Sequence, residues 1–121
     1  MTTTKSKHLA FDREELAWAG GLFEGEGSVF LSHRDRRLRT PQPSASLGMT
    51  DEDSVRRFAA ALGFGNVGGP YKTTNGAKPY WKWSVAGLQY VQALVAMLWP
   101  WLGRRRREAA RHTLVEGRGV N

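Results

Sequence analysis

The chain has 121 residues, a length that suits a single domain with one modest hydrophobic core. Its 40% hydrophobic content and five tryptophans exclude a disordered polymer, and no window approaches the roughly eighteen apolar residues of a membrane span. The formal net charge of +7 favours a polyanionic partner, with nucleic acid as the first choice. Cysteine is absent, which excludes disulfides and thiolate metal sites, and without an apolar leader we expect a cytoplasmic, intracellular protein.

The first predicted element follows a polar stretch, residues 1–11, that has no periodic pattern and is predicted to be a flexible tail. Asp12 is a typical helix N-cap and predicts a first helix from about residue 13 to residue 24. Gly20 and Gly21 lie inside this helix, although each glycine costs about 1 kcal/mol relative to alanine. We therefore predict that another backbone approaches closely here, where the missing Cβ atom removes the steric stop.

The end of this helix carries two acids, Glu24 and Glu26, in alternation with Gly25 and Gly27. The glycines are predicted to end the helix. A carboxylate at this end is repelled by the negative pole of the helix dipole, and a bound cation would relieve that repulsion. Carboxylate and carbonyl oxygens together are suitable ligands for a hard metal ion. A solvated turn without a metal explains the same residues, so the pattern alone leaves both interpretations open.

Two alternating segments then predict an antiparallel hairpin with one apolar face and one polar face. The inward positions are aliphatic or small: Val29, Leu31, Ala45, Leu47 and Met49. The outward positions are mostly serines and arginines: Ser28, Phe30, Ser32, Arg34, Arg36, Gln42, Ser44, Ser46 and Gly48. A basic linker at 36–41 joins the two strands. A sheet with this pattern is half core and half polar ligand surface.

The second half of the chain repeats the order of helix and hairpin. A helix capped by Thr50 or Asp51 is followed by strands at about 66–72 and 80–85, joined by a turn at 74–76. In the fourth strand the inward residues are Trp81, Trp83 and Val85, and the outward residues are Tyr80, Lys82 and Ser84. A helix at about 87–98, a break at Pro100 and a basic helix at about 104–115 complete the pattern.

The segment 19–27, A-G-G-L-F-E-G-E-G, resembles the signature motif of the LAGLIDADG homing endonucleases. The order of elements over 12–115 agrees with the αββαββα core of this family, an α+β fold whose curved antiparallel sheet forms a DNA-binding saddle. One motif copy is present, so the resemblance is to the single-motif type, which acts as a homodimer through its motif helix. The resemblance implies one domain, 12–115, with tails at 1–11 and 116–121, that cleaves double-stranded DNA at a specific site.

The same resemblance implies the chemical roles. The acid Glu26, with the carbonyl of Gly25, would bind the catalytic Mg²⁺ or Mn²⁺, whereas the family commonly has the shorter aspartate. The motif helices would meet at Ala17, Gly20, Gly21 and Glu24. Glu24 is favoured to stabilise its helix end rather than to catalyse, and Asp51 is either a residue that orients active-site water or a plain N-cap. The family's lysine after the fourth strand has no counterpart in segment 84–87, S-V-A-G, which leaves Lys82 as the nearest catalytic candidate.

The predicted DNA contacts follow the polar strand faces and the basic linker: Ser28, Phe30, Ser32, Arg34, Arg36, Arg37, Arg39, Gln42, Ser44, Ser46, Lys72 and Lys82. Arginine pairs with guanine and glutamine with adenine when such a sheet lies in a major groove. The four arginines 104–107 are interpreted either as phosphate contacts or as solubilising charge. Two functions stay open: a metal-dependent homodimeric endonuclease, and a DNA-binding protein without cleavage, such as a repressor, or an RNA-splicing maturase.

Overall fold

The computed structural model describes residues 11–33 and 41–117, and its elements follow the predicted α+β order. The helices are α1 (Arg13–Glu26), α2 (Glu52–Leu62), α3 (Leu88–Leu98) and α4 (Arg104–Glu116), with a 3-10 turn at Trp99–Trp101 before α4. The strands are β1 (Gly27–Ser32), β2 (Gln42–Met49), β3 (Asn66–Tyr71) and β4 (Tyr80–Ala86). Within the described ranges, each helix is too short or too polar to cross a lipid bilayer.

The four strands form one antiparallel sheet in the order β1-β2-β4-β3, which confirms both predicted hairpins. Gly27 pairs with Leu47, and Met49 pairs with Trp81. The end of α1, the end of β2 and the start of β4 therefore meet at one end of the sheet. We call it the acidic end, because Glu26 and Asp51 both lie there.

The core lies between the inward face of the sheet and helices α1, α2 and α3. Trp83 is fully buried, as its position in the alternating β4 pattern predicts, and its indole nitrogen donates a hydrogen bond to the Phe64 carbonyl at 2.9 Å. The Phe58 ring meets the Trp83 ring edge-on at 4.9 Å and stacks on the Phe23 ring at 6.0 Å. These aromatic contacts connect α1 to α2 and α2 to the sheet, and they fix the position of the motif helix.

The N-terminal end of α1 is capped as predicted. Asp12 Oδ1 accepts hydrogen bonds from the backbone N–H groups of Glu14 and Glu15, at 2.9 and 3.2 Å. The Glu15 side chain does not turn back to close a capping box; it accepts two hydrogen bonds from Arg57 of α2, at 2.9 and 2.7 Å. These hydrogen bonds hold the pKa of Glu15 below its ordinary value of 4.5. The Arg57 guanidinium also lies 3.9 Å above the Trp18 ring, so one side chain joins α1 to α2 in two ways.

The C-terminal end of α1 differs from the prediction. The helix continues past Glu24 through Gly25 and Glu26, and Gly27 is its C-cap residue, with an N–H that donates to the Phe23 carbonyl. Gly27 is buried because the Phe23 ring occupies the space that a Cβ atom would need. Burial of Phe23, which is 1% exposed, outweighs the weak helix propensity of Gly25 and carries the helix one half-turn further.

Candidate nucleic-acid interface and acidic end

The face of the sheet opposite the core forms a groove of about 640 Å³. Its lining consists mainly of the outward residues of the four strands: Phe30, Ser32, Gln42, Ser44, Ser46, Asn66, Lys82, Ser84 and Ala86. Six of these are in the predicted DNA-contacting set, and Ser28 lies on the same face as the cross-strand partner of Ser46. The structure thus gathers these predicted residues on one concave surface, while their contact with DNA stays a prediction.

Other predicted DNA contacts lie elsewhere. Lys72 is exposed just after β3 and does not line the groove. Arg34, Arg36, Arg37 and Arg39 fall outside the described residues.

A row of neutral polar side chains crosses the groove at mid-sheet. Ser28 pairs with Ser46, Ser46 with Ser84, and Ser84 with Asn66, so all four strands contribute one residue. The sequence prediction omitted Ser84 and Asn66 from the DNA-contacting set. Alternation placed Ser84 on the outward face, but only the β2–β4 and β3–β4 registers show that it continues the serine row.

The row nearest the acidic end contains Lys82 between two glycines. Gly48 and Gly68 are its cross-strand partners. The Tyr71 hydroxyl occupies the space that a Cβ atom of Gly68 would need, whereas a Cβ atom at Gly48 would make ordinary contact with the Tyr80 ring at 3.6 Å. The sequence prediction left both tyrosines out of the interface. Among the described residues that line the groove, Lys82 alone carries a formal charge.

Glu26 is exposed in the last turn of α1, and its carboxylate has no hydrogen-bond or ion-pair partner among the described residues. The carbonyl of Gly25 belongs to the last turn of the helix, where backbone acceptors lack intrahelical donors. Both groups supply the oxygen ligands that Mg²⁺ prefers. Within residues 11–33 and 41–117 of one chain, however, no three acidic or histidine side chains are grouped to hold a metal.

Asp51 is the N-cap residue of α2 by backbone conformation, yet its side chain does not accept from the helix backbone. Its Oδ2 accepts a hydrogen bond from the Ser54 hydroxyl at 2.6 Å instead. Asp51 is exposed and lies at the acidic end. Asp51 is therefore the N-cap residue by backbone position only, without a side-chain cap, and a role in orienting water stays a prediction.

The acid Glu24 is bonded within its own chain, as part of a contact that sequence analysis missed. Its Oε1 accepts a hydrogen bond from the backbone N–H of Gly103, the N-cap residue of α4, at 2.8 Å. Arg106 Nε donates to the Glu24 carbonyl at 3.1 Å. The first turn of α4, with its run of arginines, is thereby held against the last turn of α1 at Glu24, two residues before Glu26 in the sequence. No local pattern signals a contact between segments so distant in sequence.

One predicted interface residue of α1 is corrected. Gly20 is buried, and a Cβ atom there would come within 2.6 Å of the Trp101 Cβ atom, so the close approach at Gly20 is made by its own chain. Gly21 and Gly25 are exposed, and a Cβ atom at either would meet nothing within 4 Å. With the half-buried Ala17, they form an open strip along α1, since residues four apart share a helix face.

Comparison with known proteins gives a likeness of fold. No protein-family model matches the chain, and a search of curated proteins finds no match. Among solved structures, the homing endonuclease I-CvuI in complex with its target superposes with a TM-score of 0.65 at 21% identity, covering 85% of this chain and 65% of that chain. Homing endonuclease I-TnaI has a TM-score of 0.63 at 16% identity and covers 86% and 74%. The LAGLIDADG meganuclease I-CpaMI bound to uncleaved DNA has a TM-score of 0.58 at 12% identity and covers 88% and 38%. The chain spans just under two thirds of I-CvuI.

Proposed function

We propose that this chain, which has the fold of the LAGLIDADG homing endonucleases, binds double-stranded DNA along its groove and cleaves it as a homodimer with a divalent metal. One observation carries the proposal: a groove lined by hydrogen-bonding side chains leads to an end of the sheet where the Glu26 carboxylate is exposed and has no partner among the described residues. Glu26 is therefore accessible to a metal and to a phosphate at the end of the groove.

Recognition of DNA is supported by the composition of the groove. Serine hydroxyls donate and accept hydrogen bonds with base edges, and Gln42 suits the paired donor and acceptor of adenine. Lys82 is the one charged lining residue among those described, so most phosphate contacts must come from outside the groove. The net charge of +7 provides for them, because arginines of 34–39 lie between β1 and β2 in sequence and those of 104–107 follow the last strand.

Dimerisation is supported by the open strip of α1. Ala17, Gly21 and Gly25 let the backbone of a second helix approach closely, and nothing in the described chain covers the two glycines. A two-fold axis along this strip would place two copies of the last turn of α1, and hence two Glu26 carboxylates, side by side. It would also join two grooves into one surface twice as long, which suits a long, near-palindromic site.

The donor set at the acidic end fits a hard divalent cation. Glu26 and the Gly25 carbonyl would hold Mg²⁺ or Mn²⁺ together with phosphate oxygens and water, in keeping with the way Mg²⁺ is bound by one or two carboxylates plus substrate phosphates. When bound, such a metal neutralises phosphate charge and favours deprotonation of water. The Arg106–Glu24 contact holds the first turn of α4 against the last turn of α1, and we propose the arginines of that turn as the source of positive charge in place of the lysine that the family resemblance led us to expect.

The alternative is a DNA- or RNA-binding protein that does not cleave. It is favoured by the lack of a three-ligand cluster among the described residues and by segment 84–87, which has no lysine where the family resemblance implies one. A repressor would retain the groove and the dimer and lose only the chemistry. A maturase would instead prefer a folded RNA over any duplex DNA.

The test is selection of binding sites from a random duplex pool, followed by incubation of the selected duplexes with Mg²⁺, Mn²⁺ or Ca²⁺. The proposal expects a preferred duplex and cuts in both strands with Mg²⁺ or Mn²⁺. A preferred duplex that is never cut supports the repressor alternative. Failure to enrich any duplex, with tight binding to structured RNA, overturns DNA recognition.

A further inference from the structure

The groove is crossed by one apolar row between two polar rows. Phe30 of β1 pairs with Ser44 of β2, and Ser44 pairs with Ala86 of β4. Phe30 is 41% exposed and Ala86 is also exposed, although both lie on the polar face of the sheet. Single exposed apolar residues are ordinary on protein surfaces, but Phe30 and Ala86 lie in the same row across the sheet.

The middle of this row offers no free polar group. Ser44 is only 6% exposed, and its hydroxyl donates to the backbone carbonyl of Gln42 at 3.4 Å. A ligand above the row therefore meets an aromatic ring, a satisfied hydroxyl and a methyl group in succession. Neighbouring strands lie about 4.8 Å apart, so the row extends across about 10 Å of the sheet.

The rows on either side are polar. Toward the acidic end lies the serine row that contains Ser46, and on the other side Ser32 pairs with Gln42. Two hydrogen-bonding rows with an apolar row between them match the edge of base pairs in a major groove, where the donors and acceptors are interrupted by a single kind of apolar group. That group is the C5-methyl of thymine.

We propose that Phe30 and Ala86 read the C5-methyl group of a thymine, and that this contact fixes one A·T pair of the target next to the base read by Gln42. The inference rests on the proposed DNA recognition and names a specificity determinant within it. A thymine methyl group between the Phe30 ring and Ala86 is removed from water when DNA binds, which favours binding. Cytosine has no methyl group at this position and would bury no apolar surface.

The experiment removes the methyl and nothing else. Each thymine of the selected duplex is replaced, one at a time, by uracil, and the dissociation constant is measured by fluorescence anisotropy. For the wild-type protein we expect about a three- to fivefold weakening at one position per half-site, the effect of one buried methyl. In Phe30→Ala the same replacement should have no effect. Ser28→Ala, a change on the same strand and face, should keep the full uracil effect.

Three outcomes overturn the inference. Wild-type binding that is indifferent to every uracil replacement shows that no thymine methyl is read. A uracil effect that persists in Phe30→Ala assigns the methyl to another residue. A bend of the bound duplex that Phe30→Ala abolishes, without any uracil effect, shows that Phe30 wedges between bases instead. In all three the protein still prefers one duplex; if it prefers none, the proposed DNA recognition itself fails.

Discussion

The carboxylate of Glu24 accepts a hydrogen bond from the backbone N–H of Gly103, 2.8 Å away and 79 positions later in the chain. Gly103 is the N-cap residue of α4 and its own side chain cannot cap, so a glutamate from α1 supplies the acceptor that a serine or aspartate usually provides. The negative charge also faces the positive pole of α4. Glu24 therefore serves as a distant cap, which fits the prediction that it stabilises a helix end, although the helix is α4 and not α1.

The first prediction concerns this cap. Glu24→Ala should lower the free energy of unfolding by about 1–3 kcal/mol, because a part-buried N–H at the start of α4 loses its charged acceptor. Glu24→Gln should lose less, since the amide oxygen still accepts. Urea unfolding followed by circular dichroism measures both. Glu116→Ala, at the exposed far end of α4, is the control and should change little; equal losses in Glu24→Ala and Glu116→Ala would contradict the assignment.

Substitutions of Gly20 and Gly21 should have different effects, the first on folding and the second on dimerisation. Gly20→Ala places a Cβ atom within 2.6 Å of the Trp101 Cβ atom, so it should cost about 1–3 kcal/mol of folding stability whatever the oligomeric state. A Cβ atom at Gly21 meets nothing within 4 Å among the described residues, so Gly21→Leu should leave the monomer fold intact, yet produce monomers in light scattering. If Gly21→Leu stays dimeric with unchanged dissociation, the dimer does not use the α1 strip.

Glu26 decides the enzyme proposal. Glu26→Gln should abolish Mg²⁺-dependent cleavage of the selected duplex, while binding in EDTA stays equal or tightens because an amide removes the repulsion between carboxylate and phosphate. Glu14→Gln removes the same charge from the other end of α1 and serves as the matched control in both gel cleavage and anisotropy assays. Cleavage by Glu26→Gln at the wild-type rate would exclude Glu26 as a metal ligand.

The Glu15–Arg57 contact predicts an acid-dependent stability. Hydrogen bonds from Arg57 lower the pKa of Glu15 in the folded protein, so its stabilising contribution is full above the ordinary value of 4.5 and is lost as the pH falls through the lower folded value. In a double-mutant cycle of Glu15→Gln and Arg57→Met, the coupling free energy of unfolding between the two residues should be constant at neutral pH. It should decline below pH 4.5. Urea unfolding across this range measures it. A coupling that is unchanged in acid would show that the ionised pair is not its source.

The position of Lys82 in the groove leads to a prediction about how DNA binding depends on salt concentration. Lys82→Gln should reduce the slope of log K against log salt concentration by about one, since one fewer counterion is released on binding. Ser46→Ala, in the next row of the groove, should weaken binding to the preferred duplex without a change in slope. Anisotropy titrations over a range of KCl concentrations separate the two. An unaltered slope in Lys82→Gln would place Lys82 away from the phosphates.

The sequence predicts the fold because each segment has a strong local pattern. Alternation in β1, β2 and β4 assigns the faces correctly, from the buried Trp83 to the exposed Lys82, and Asp12 marks the start of α1. Polar residues on the outward face predict where the groove lies. The order of the elements, together with segment 19–27, suffices to identify the fold.

What the sequence does not predict are contacts between distant segments. The Trp101 side chain occupies the space beside Gly20. The close approach that the sequence predicts at this glycine is therefore made within the chain. The row of Ser28, Ser46, Ser84 and Asn66 depends on the pairing register of β3 with β4. That register shifts between Gly68 and Tyr71, which the sequence pattern does not show. Helix α1 continues to Glu26 because Phe23 is buried, a tertiary effect that overrides the local weakness of Gly25.

The contacts of Trp101 with Gly20 and of Gly103 with Glu24 have a consequence for the order of events during synthesis. The motif helix is synthesised before the residues that complete its inner side, so these non-local contacts close only after the later segment has emerged from the ribosome. Its strip with Gly21 and Gly25 is therefore held at its final angle only after the segment around Trp101 has docked. In the proposed homodimer, each chain would thus fold first and pair afterwards, which limits premature association between neighbouring chains on one messenger RNA.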